Sequence, residues 1–419
     1  MNYKRLNTII GWLVFAIAAF TYCMTIEPTA SFWDCPEYVT CAAKGEVGHP
    51  PGNTFFLLAG RFFANFAAGD MTQVAIWINR MSALFSAGTI LFLFWSITAL
   101  TFKLMIKRKE EPTLGQTILI LGCGLVGALA YTWSDTFWFS AVEAEVYAFS
   151  SFMTALTFWL ILKWEQRAVQ PSADKYLILI SYIVGLSIGV HLLNLLCLPA
   201  IVLIYYFHHK RQATVWGVTS TLCLSVVLIA VILYGIIPGF VTVAGWFELL
   251  FVNTLGCPFN TGVFVYSIAL ISCLVGGIYT SYSEKYEKSN LPKILFVASV
   301  VLLGIPFFGS HTGTGIVLII VLIGFLFFIE KGKKTSASLL NTILLCLTVI
   351  LLGYSSYATL VIRSSANPPM DQNSPDDVFS LKSYLNRDQY GDTPLFYGES
   401  FAAEFKYKQG SVDKEYGEA

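Results

Sequence analysis

Two carboxylates three residues apart follow the first apolar segment, in the stretch Ser31-Phe-Trp-Asp34-Cys-Pro-Glu37-Tyr. If a helix begins here, Asp34 and Glu37 lie on one face of it. One interpretation is a capping box, with Asp34 as N-cap, Glu37 at N3 reaching back, and Pro36 in the first turn. The other is a general base beside a membrane, because a positioned carboxylate can take a proton from a reacting hydroxyl. Both roles are compatible if only one carboxylate is the base.

A second group of carboxylates lies among aromatic residues, in Trp133-Ser-Asp135-Thr-Phe-Trp138-Phe-Ser-Ala-Val-Glu143-Ala-Glu145-Val-Tyr147. Tryptophans at this density are typical of the aromatic belt at a membrane interface, and stacking on a sugar is the alternative. Glu143 and Glu145 are two residues apart, so on a helix they point in roughly opposite directions. We therefore predict that at most one of them faces the same pocket as Asp34.

Three of the five histidines lie near these carboxylates or in comparable connections: His49, His191 and His311. They could bind a metal with the carboxylates, or donate hydrogen bonds to a phosphate. No HxxxH or HExxH spacing occurs, so the sequence predicts neither a metal nor another cofactor. Gly122-Cys-Gly124-Leu-Val-Gly127 matches GxGxxG, but it lies inside an apolar run, where small residues are typical of closely packed membrane helices.

The elements that must position these groups are apolar. Of the 419 residues, 56% are hydrophobic and only 12% are charged, about half the charged fraction of a soluble domain. Apolar runs long enough to cross a bilayer recur throughout, which predicts an all-α polytopic membrane protein with about eleven transmembrane helices. The predicted spans are 6–26, 81–102, 115–133, 146–164, 176–190, 193–207, 214–237, 263–282, 293–309, 312–329 and 338–360.

The short spans 176–190 and 193–207 could form one broken pair that meets near His191, and 54–67, interrupted by Arg61, could lie in the membrane interface. Lys and Arg collect in six segments, which alternate with turns that contain almost no Lys or Arg. The basic segments are 4–5, 103–109, 163–175, 210–211, 285–293 and 331–334. By the positive-inside rule, these segments and the N-terminus are cytoplasmic. The net charge is zero, so no basic excess indicates a nucleic-acid partner.

The same topology makes 27–80 a large first outer loop and places the segment after the last span outside. We predict two parts, a transmembrane domain over 1–360 and an outer C-terminal segment over 361–419 with a helix near 376–387. The C-terminal segment lacks the apolar mass for its own core, and we interpret it as the start of a longer outer domain. A disulfide between Cys35 and Cys41 is possible if the first loop faces an oxidising compartment.

Several of these motifs resemble an uncharacterised membrane family of Bacteroidota. The resemblance rests on Phe32-Trp33-Asp34…Glu37 with Val47-Gly48-His49-Pro50-Pro51-Gly52, on the Trp133–Tyr147 stretch, on Gly185-Leu-Ser-Ile-Gly189-Val-His191-Leu-Leu-Asn194, and on Ala366-Asn-Pro-Pro-Met-Asp371 with Tyr384-Leu-Asn-Arg-Asp-Gln-Tyr390. That family is similar to an animal transmembrane protein O-mannosyltransferase, and both resemble GT-C glycosyltransferases. Cys35-Pro36 departs from the small residues expected between the two carboxylates.

The resemblance implies a GT-C-like bundle in the bacterial inner membrane, which transfers mannose from a polyprenyl-phosphate donor to Ser or Thr of exported proteins. It implies an inverting reaction at the outer face, with Asp34 as base and Glu37 as a second catalytic carboxylate. Cations and histidines would stabilise the leaving phosphate, which makes His49, His191, Arg61, Arg80 and Arg363 candidates. The remaining substrate-binding candidates are Asp135, Glu143, Glu145 and Asn194.

A transporter or flippase of a lipid-linked glycan is the alternative, and a non-catalytic envelope scaffold is a third possibility. Transporters often contain inverted repeats with polar residues near the midplane of the membrane. The two halves of this sequence show no convincing repeat, and the carboxylates collect at one side. This pattern favours an enzyme that works at a membrane surface.

Overall fold

The protein is an assembly of helices. A computed structural model describes residues 2–107, 110–170, 172–210, 212–308, 311–327 and 337–391, with the backbone of two short strands farther on. The helices are α1 (Tyr3–Met24), α2 (Cys35–Lys44), α3 (Thr54–Ala64), α4 (Val74–Met105), α5 (Leu114–Thr132), α6 (Asp135–Ala141), α7 (Val146–Arg167), α8 (Asp174–Ile188), α9 (Leu198–His209), α10 (Val215–Ala230), α11 (Ile237–Leu249), α12 (Thr261–Tyr282), α13 (Leu291–Leu302), α14 (Thr312–Phe327), α15 (Ala337–Tyr354), α16 (Ala358–Ser364) and α17 (Val378–Asn386). The strands β1 (Lys406–Tyr407) and β2 (Lys414–Glu415) pair antiparallel.

Within the described residues, eight helical segments are long and apolar enough to cross a membrane. They are Tyr3–Met24, Met71–Met105, Leu114–Thr132, Val146–Arg167, Leu192–His209, Val215–Thr254, Thr261–Tyr282 and Ala337–Ser364. Each corresponds to a predicted span, so the polytopic helical bundle is confirmed. The other three predicted spans correspond to α8, α13 and α14, which have 15, 12 and 16 residues. The number eleven therefore stays a prediction.

One predicted boundary is wrong. The span predicted over 214–237 continues to Thr254 as a helical segment of 40 residues. Two stretches of π-helix, Val231–Ile236 and Leu250–Thr254, interrupt its α-helical hydrogen bonding. Pro238 does not end the helix, because it lies in the first turn of α11 after the π-helical stretch, where its missing N–H is tolerated.

Close helix packing explains the small residues in the apolar runs. A Cβ atom at Gly124 of α5 would lie 2.5 Å from the Thr98 side chain of α4, and one at Gly127 would lie 2.6 Å from Ile97. The predicted packing role of the GxGxxG stretch is therefore confirmed for Gly124 and Gly127, whereas Gly122 has no atom within 4 Å of an added Cβ. Gly185 of α8 faces the backbone of α15 in the same way, with 2.3 Å left for a Cβ atom beside Ile350 O.

Segments predicted to share a side of the membrane lie together. At one end of the bundle, Lys103 of α4 forms an ion pair with Glu165 of α7. At the other end, the Glu27 amide donates to Val142 O, so the first and second predicted outer loops meet. The arrangement agrees with the alternation of the charged segments. Which end faces the cytoplasm stays a prediction.

The described part of the C-terminal segment packs against the bundle. The predicted helix is present as α17, and Asp377 caps it by accepting from the amides of Phe379 and Ser380. Helix α17 packs along α11. A parallel bridge between Val47 and Asp371 joins the first loop to the chain just before α17. Most of the predicted segment beyond residue 391 lies outside the described residues.

Candidate active site

A cleft of about 640 Å³ opens where the two predicted outer loops, the turn before Leu192 and the C-terminal segment meet. This is a volume typical of small-molecule sites. Five of the predicted site residues contribute to its wall: Asp34, His49, Glu143, Glu145 and His191. The cleft therefore brings together residues that are far apart in sequence. Its other lining residues are Trp33, Tyr38, Pro50, Pro51, Asn53, Phe139, Ser140, Val146, Tyr147, Ile188, Leu192 and Arg387.

Asp34 occupies the N-cap position of α2, but its side chain accepts no capping hydrogen bond. Its backbone has helical dihedral angles, with φ −84° and ψ −7°, whereas a capping residue normally has an extended backbone. More than half of the side chain is exposed, at 54%. Of the capping box, only Pro36 in the first turn is found. The Asp34 carboxylate is therefore available to the cleft.

Glu37 does not reach back to the start of α2, so the second half of the predicted capping box is wrong as well. Its Oε1 atom accepts from the His49 amide at 2.6 Å and lies 2.8 Å from His49 Nδ1. An ionised carboxylate only accepts hydrogen bonds, so Nδ1 of His49 carries the proton. Glu37 is absent from the wall of the cleft and reaches it through His49. This geometry indicates a positioning role rather than a catalytic one.

The other ring nitrogen of His49, Nε2, lies 3.9 Å from Asp34 Oδ2. The imidazole therefore lies between the two carboxylates. The hydrogen bond that His49 donates to Glu37 raises the pKa of His49 above its usual value and outweighs burial, which lowers that pKa. Burial is the largest single influence on Glu37 and raises its pKa, but the hydrogen bonds and charge of His49, together with a hydrogen bond from Gln372, lower the pKa overall. The pair is therefore held as imidazolium and carboxylate over a wider pH range than either group alone.

The loop that carries His49 is held from three sides. The Tyr384 hydroxyl donates to Gly48 O, and the Tyr357 hydroxyl donates to Gly52 O at 2.8 Å. A Cβ atom on Gly48 would lie 2.5 Å from Glu37 Oε1, so glycine permits the close approach of the loop to that carboxylate. Gly52 has φ +74°, which glycine adopts without strain. The Pro50–Pro51 peptide bond is cis.

Glu143 and Glu145 both line the cleft, so the expectation that at most one of them would do so is wrong. They lie in a non-helical connection between α6 and α7, where the Glu145 amide donates to Glu143 O. The helical geometry behind that expectation is therefore absent. The Glu145 carboxylate lies 3.7 Å from Cys35 Sγ and also accepts from the Val146 amide.

Burial raises the pKa of Glu145 to about 7, with a further contribution from the negative charge of Asp34. Burial also raises the pKa of Glu143. Both side chains belong to residues that are less than a tenth exposed. The cleft therefore holds an exposed carboxylate at Asp34 and, at Glu145, a buried carboxyl that is half protonated near neutral pH.

His191 lines the cleft at the junction predicted for the broken helix pair. Helix α8 ends at Ile188, and His191 accepts from the Leu193 amide at the start of the next helical segment. Burial lowers the pKa of His191, and so does the positive charge of Arg387. Asn194 is fully buried and donates to Ser187 Oγ at 3.1 Å. The substrate-binding role predicted for Asn194 has no geometric support, because its side chain lies in the core.

Arg387 was missed by sequence reasoning. It follows α17 with φ +61°, and its guanidinium lies 4.7 Å from the centre of the Tyr390 ring. Its positive charge lowers the pKa of both His49 and His191, and all three residues line the same cleft. The stretch Tyr384-Leu-Asn-Arg-Asp-Gln-Tyr390 carried part of the family resemblance, and this was the only signal for Arg387 in the sequence.

Three predicted site residues lie away from the cleft. Arg61 donates to Ala43 O, and Arg80 lies over the Trp77 ring, 4.4 Å from its centre. Asp135 is exposed in the first turn of α6. In each case the position on the helix directs the side chain away from the cleft. Arg61 points to the C-terminal end of α2, Arg80 points to a ring on its own helix α4, and Asp135 points to solvent. Arg363 also lies elsewhere, where it donates to Gly45 O.

Cys35 and Cys41 are buried free thiols within α2. Cys41 Sγ lies 3.5 Å from Met370 Sδ, and Cys35 faces Glu145. The two cysteines therefore form no disulfide with each other in this structure. Across the described residues, no three His, Cys, Asp or Glu side chains group as a metal centre would require.

Known proteins are similar to the part of the chain that contains most of the cleft residues. Residues 34–214 match the model of the protein O-mannosyl-transferase TMEM260 N-terminal domain. This part of the chain resembles TMEM260. A protein O-mannosyl-transferase tmem260 of Dictyostelium discoideum is 25% identical over 164 residues, which cover 39% of this chain and 18% of that relative. TMEM260 of Mus musculus is 25% identical over 176 residues, 42% of this chain and 22% of the mouse protein.

The aligned part of the chain thus spans about a fifth of the length of these two TMEM260 relatives. No solved structure matches the chain. The region shared with the TMEM260 model includes Asp34, Glu37, His49, Glu143, Glu145 and His191. Arg387 lies outside it, so the C-terminal wall of the cleft is an observation from the structure alone.

Proposed function

We propose that the protein is a membrane glycosyltransferase of the inverting GT-C type. It moves a sugar, mannose by the names of its relatives, from a polyprenyl-phosphate donor to Ser or Thr hydroxyls of exported proteins. The observation that carries the proposal is the Asp34 carboxylate, which makes no cap, in a cleft shared with His49, His191 and Arg387. Such a cleft combines an acceptor for a proton with donors for a phosphate.

In this proposal, Asp34 takes the proton of the acceptor hydroxyl as its oxygen attacks the anomeric carbon of the sugar. The new bond joins that oxygen to the anomeric carbon. The bond from the same carbon to the phosphate oxygen breaks, and its electron pair leaves with the polyprenyl phosphate. Attack from the face opposite the phosphate inverts the anomeric centre. The proton ends on Asp34, so the step needs no further reactant.

The developing charge on the phosphate requires donors that are already in place. Arg387 supplies a permanent positive charge in the wall of the cleft. His49 supplies a second charge, because Glu37 raises its pKa and fixes the orientation of its ring. His191 has a lowered pKa and serves as a neutral hydrogen-bonding group. His49 and His191 keep their predicted role in the proposal, and Arg387 takes the place of Arg61, Arg80 and Arg363 as the phosphate-binding arginine.

Glu145 and Glu143 line the same cleft and are suited to binding sugar hydroxyls. With a pKa of about 7, Glu145 is protonated in a substantial fraction of molecules and can then donate a hydrogen bond. Its partial neutrality also reduces repulsion of Asp34 and of the donor phosphate. The negative charge of Asp34 contributes to this neutrality, so the two carboxyls have different roles.

The proposed setting is the bacterial inner membrane, with the N-terminus in the cytoplasm and the cleft at the periplasmic face. The basic segments support this orientation by the positive-inside rule. A lipid-linked donor and an exported acceptor meet at this face. The proposal includes no nucleotide, metal or nucleic acid, and the donor lipid is the sugar source.

The test is sugar transfer by the purified full chain in liposomes that contain polyprenyl-phosphate mannose and a Ser/Thr-rich peptide. We expect the intact mass of the peptide to increase by one hexose, and an Asp34→Asn variant to give no product. In cells, deletion of the gene should remove a hexose-initiated glycan from exported proteins. Movement of lipid-linked sugar across the membrane without peptide modification would refute transfer and support the flippase alternative.

A further inference from the structure

A second groove, separate from the cleft, lies on the other side of the loop that follows α2. It has a volume of about 310 Å³, and α2, α3 and α16 form its walls. Thr54 begins α3 and faces this groove, whereas the preceding residue, Asn53, faces the cleft. The two sites are therefore close together but separated by the backbone. None of the residues that line the groove takes part in the mechanism above.

Three cations line this groove: Lys44, Arg61 and Arg363. They come from three different helices and are all exposed. Among the described residues, none of the three lies within 4.0 Å of a carboxylate oxygen. Glu46 also lines the groove, so the lining side chains carry a formal charge of three minus one, or +2. This concentration of positive charge contrasts with the predicted outer side, where cations are scarce.

The two arginines use only part of their hydrogen-bonding capacity. Arg61 donates to Ala43 O, and Arg363 donates to Gly45 O and Lys44 O. These bonds satisfy carbonyls at the C-terminal end of α2 and hold both guanidinium groups in place. A guanidinium has five N–H donors, so each arginine retains donors for an anion. The Lys44 side chain makes no hydrogen bond or ion pair within the described residues, so its ammonium group can turn toward the groove.

The rest of the lining is apolar, and it continues onto an apolar surface. Leu57, Leu58, Leu360 and Ile362 line the groove. Helix α3 and its continuation expose Leu58, Phe62 and Phe66, which are spaced four residues apart and share a face. Ile362 on α16 is 67% exposed. Two helices with exposed apolar faces beside a cationic groove are suited to the membrane interface, where hydrocarbon chains meet phosphates.

We propose that this groove binds an anionic phospholipid of the membrane, with the lipid phosphate at Lys44, Arg61 and Arg363 and an acyl chain along Leu58 and Ile362. The charge complements a phosphodiester with a net negative charge, and the apolar walls complement its hydrocarbon. The bound lipid would hold α3 and α16 together beside the loop that carries His49. The groove is thus a lipid site distinct from the donor site.

The test is native mass spectrometry of the full chain in detergent, with phosphatidylglycerol or phosphatidylcholine of identical acyl chains. We expect phosphatidylglycerol to remain bound and phosphatidylcholine to be lost. A cation near a phospholipid phosphate contributes about 1 kcal/mol, so Lys44→Gln should weaken retention about 5-fold. Lys44→Gln tests the site without disturbing the capping of α2. Arg363→Gln should weaken retention further.

Arg80→Gln is the matched control, since Arg80 is a predicted outer cation that lies over Trp77 and away from the groove. It should retain phosphatidylglycerol as the unmodified chain does. Equal retention of the two lipids, or unchanged retention in Lys44→Gln, would overturn the proposal. Displacement of the lipid by inorganic phosphate alone would overturn it as well, because the site would then be one for free anions.

Arg387→Gln separates this proposal from the proposed transfer. That variant should lose transfer and keep bound phosphatidylglycerol. If it lost the lipid instead, the lipid phosphate would lie in the cleft, and the groove would not be the site. Failure of every sugar-transfer assay would leave the lipid measurement unaffected, since retention needs no donor or acceptor.

Discussion

Nδ1 of His49 lies 2.8 Å from Oε1 of Glu37, and the His49 amide donates to the same oxygen. The carboxylate therefore fixes the ring orientation and keeps a proton on Nδ1. The remaining nitrogen, Nε2, is directed toward Asp34. In the proposed reaction, this relationship keeps a positive charge beside the phosphate. It also explains why the spacing of Asp34 and Glu37 does not reflect a capping box.

Glu37→Gln should shift the pH dependence of transfer. The hydrogen bond and charge of Glu37 raise the pKa of His49, so their loss lowers that pKa, and His49 loses its proton at a lower pH. The decline of kcat/KM on the alkaline side should therefore move to lower pH, with about a 10-fold loss near neutral pH. The measurement is transfer rate between about pH 5 and about pH 9. An unshifted profile would show that Glu37 has only a structural role.

Asp34→Asn should lower transfer by a factor of about 10² to 10⁴, the usual contribution of a general base. The melting temperature should change little, because the Asp34 side chain makes no capping bond. Asp135→Asn is the control, since Asp135 is exposed at the start of α6 and outside the cleft. Activity that survives in Asp34→Asn would assign the base elsewhere. A large fall in melting temperature would restore the capping interpretation.

Arg387→Gln should reduce kcat more than it raises KM, because the leaving phosphate gains charge in the transition state. We expect about a 10²-fold loss, and partial recovery in Arg387→Lys, which keeps the charge. Arg80→Gln should behave as the unmodified chain does. An effect confined to KM would limit Arg387 to binding of the donor in its ground state.

Glu145→Gln should alter the pH dependence of stability. The pKa of Glu145 is raised to about 7, so the folded protein retains a proton that the unfolded chain releases near its ordinary value. Stability therefore falls as the pH rises between these two values, by an amount on the order of 1 to 3 kcal/mol. Glu145→Gln cannot ionise and should lose this decline. The measurement is the melting temperature between about pH 4 and about pH 8, and parallel curves for the two proteins would contradict the burial of this carboxyl.

Gly48→Ala should disturb the Glu37–His49 pair. Its Cβ atom would lie 2.5 Å from Glu37 Oε1, so the carboxylate or the loop must move. We expect transfer to fall at least 10-fold, because small displacements of catalytic groups have large effects on rate. Gly122→Ala is the control, since no atom lies within 4 Å of the added carbon. Full activity in Gly48→Ala would show that the pair tolerates movement.

The helices were predictable from sequence because a bilayer requires long apolar runs, and those runs are visible without any tertiary information. The alternation of the loops was predicted from Lys and Arg, and the contacts Lys103–Glu165 and Glu27–Val142 agree with it. The extension of the helix past Pro238 was not predictable, because a π-helical stretch leaves no clear signal in composition. Hydrophobicity thus predicts that a membrane helix is present, but it does not predict where a helix with π-helical stretches ends.

The site was predictable only in part. Asp34, His49, Glu143, Glu145 and His191 were found because ionisable residues are rare at the ends of apolar runs. The orientation of a side chain depends on local backbone that spacing does not reveal, which is why the assumed helix around Glu143 was wrong. Arg387 was missed because tertiary contacts bring its loop to the cleft: the Tyr384 hydrogen bond, the Asp371 bridge and the packing of α17 along α11.

The bridge between Val47 and Asp371 has a consequence for how the protein is made. The ribosome synthesises Asp34 and His49 early, before most of the membrane helices exist. The strand partner of Val47 and the guanidinium of Arg387 emerge only after the last of those helices. A nascent chain that is still being inserted therefore has its carboxylates in place but an incomplete cleft. The proposed donor cleft is therefore complete only once Arg387 has been synthesised and the chain around Asp371 has paired with Val47.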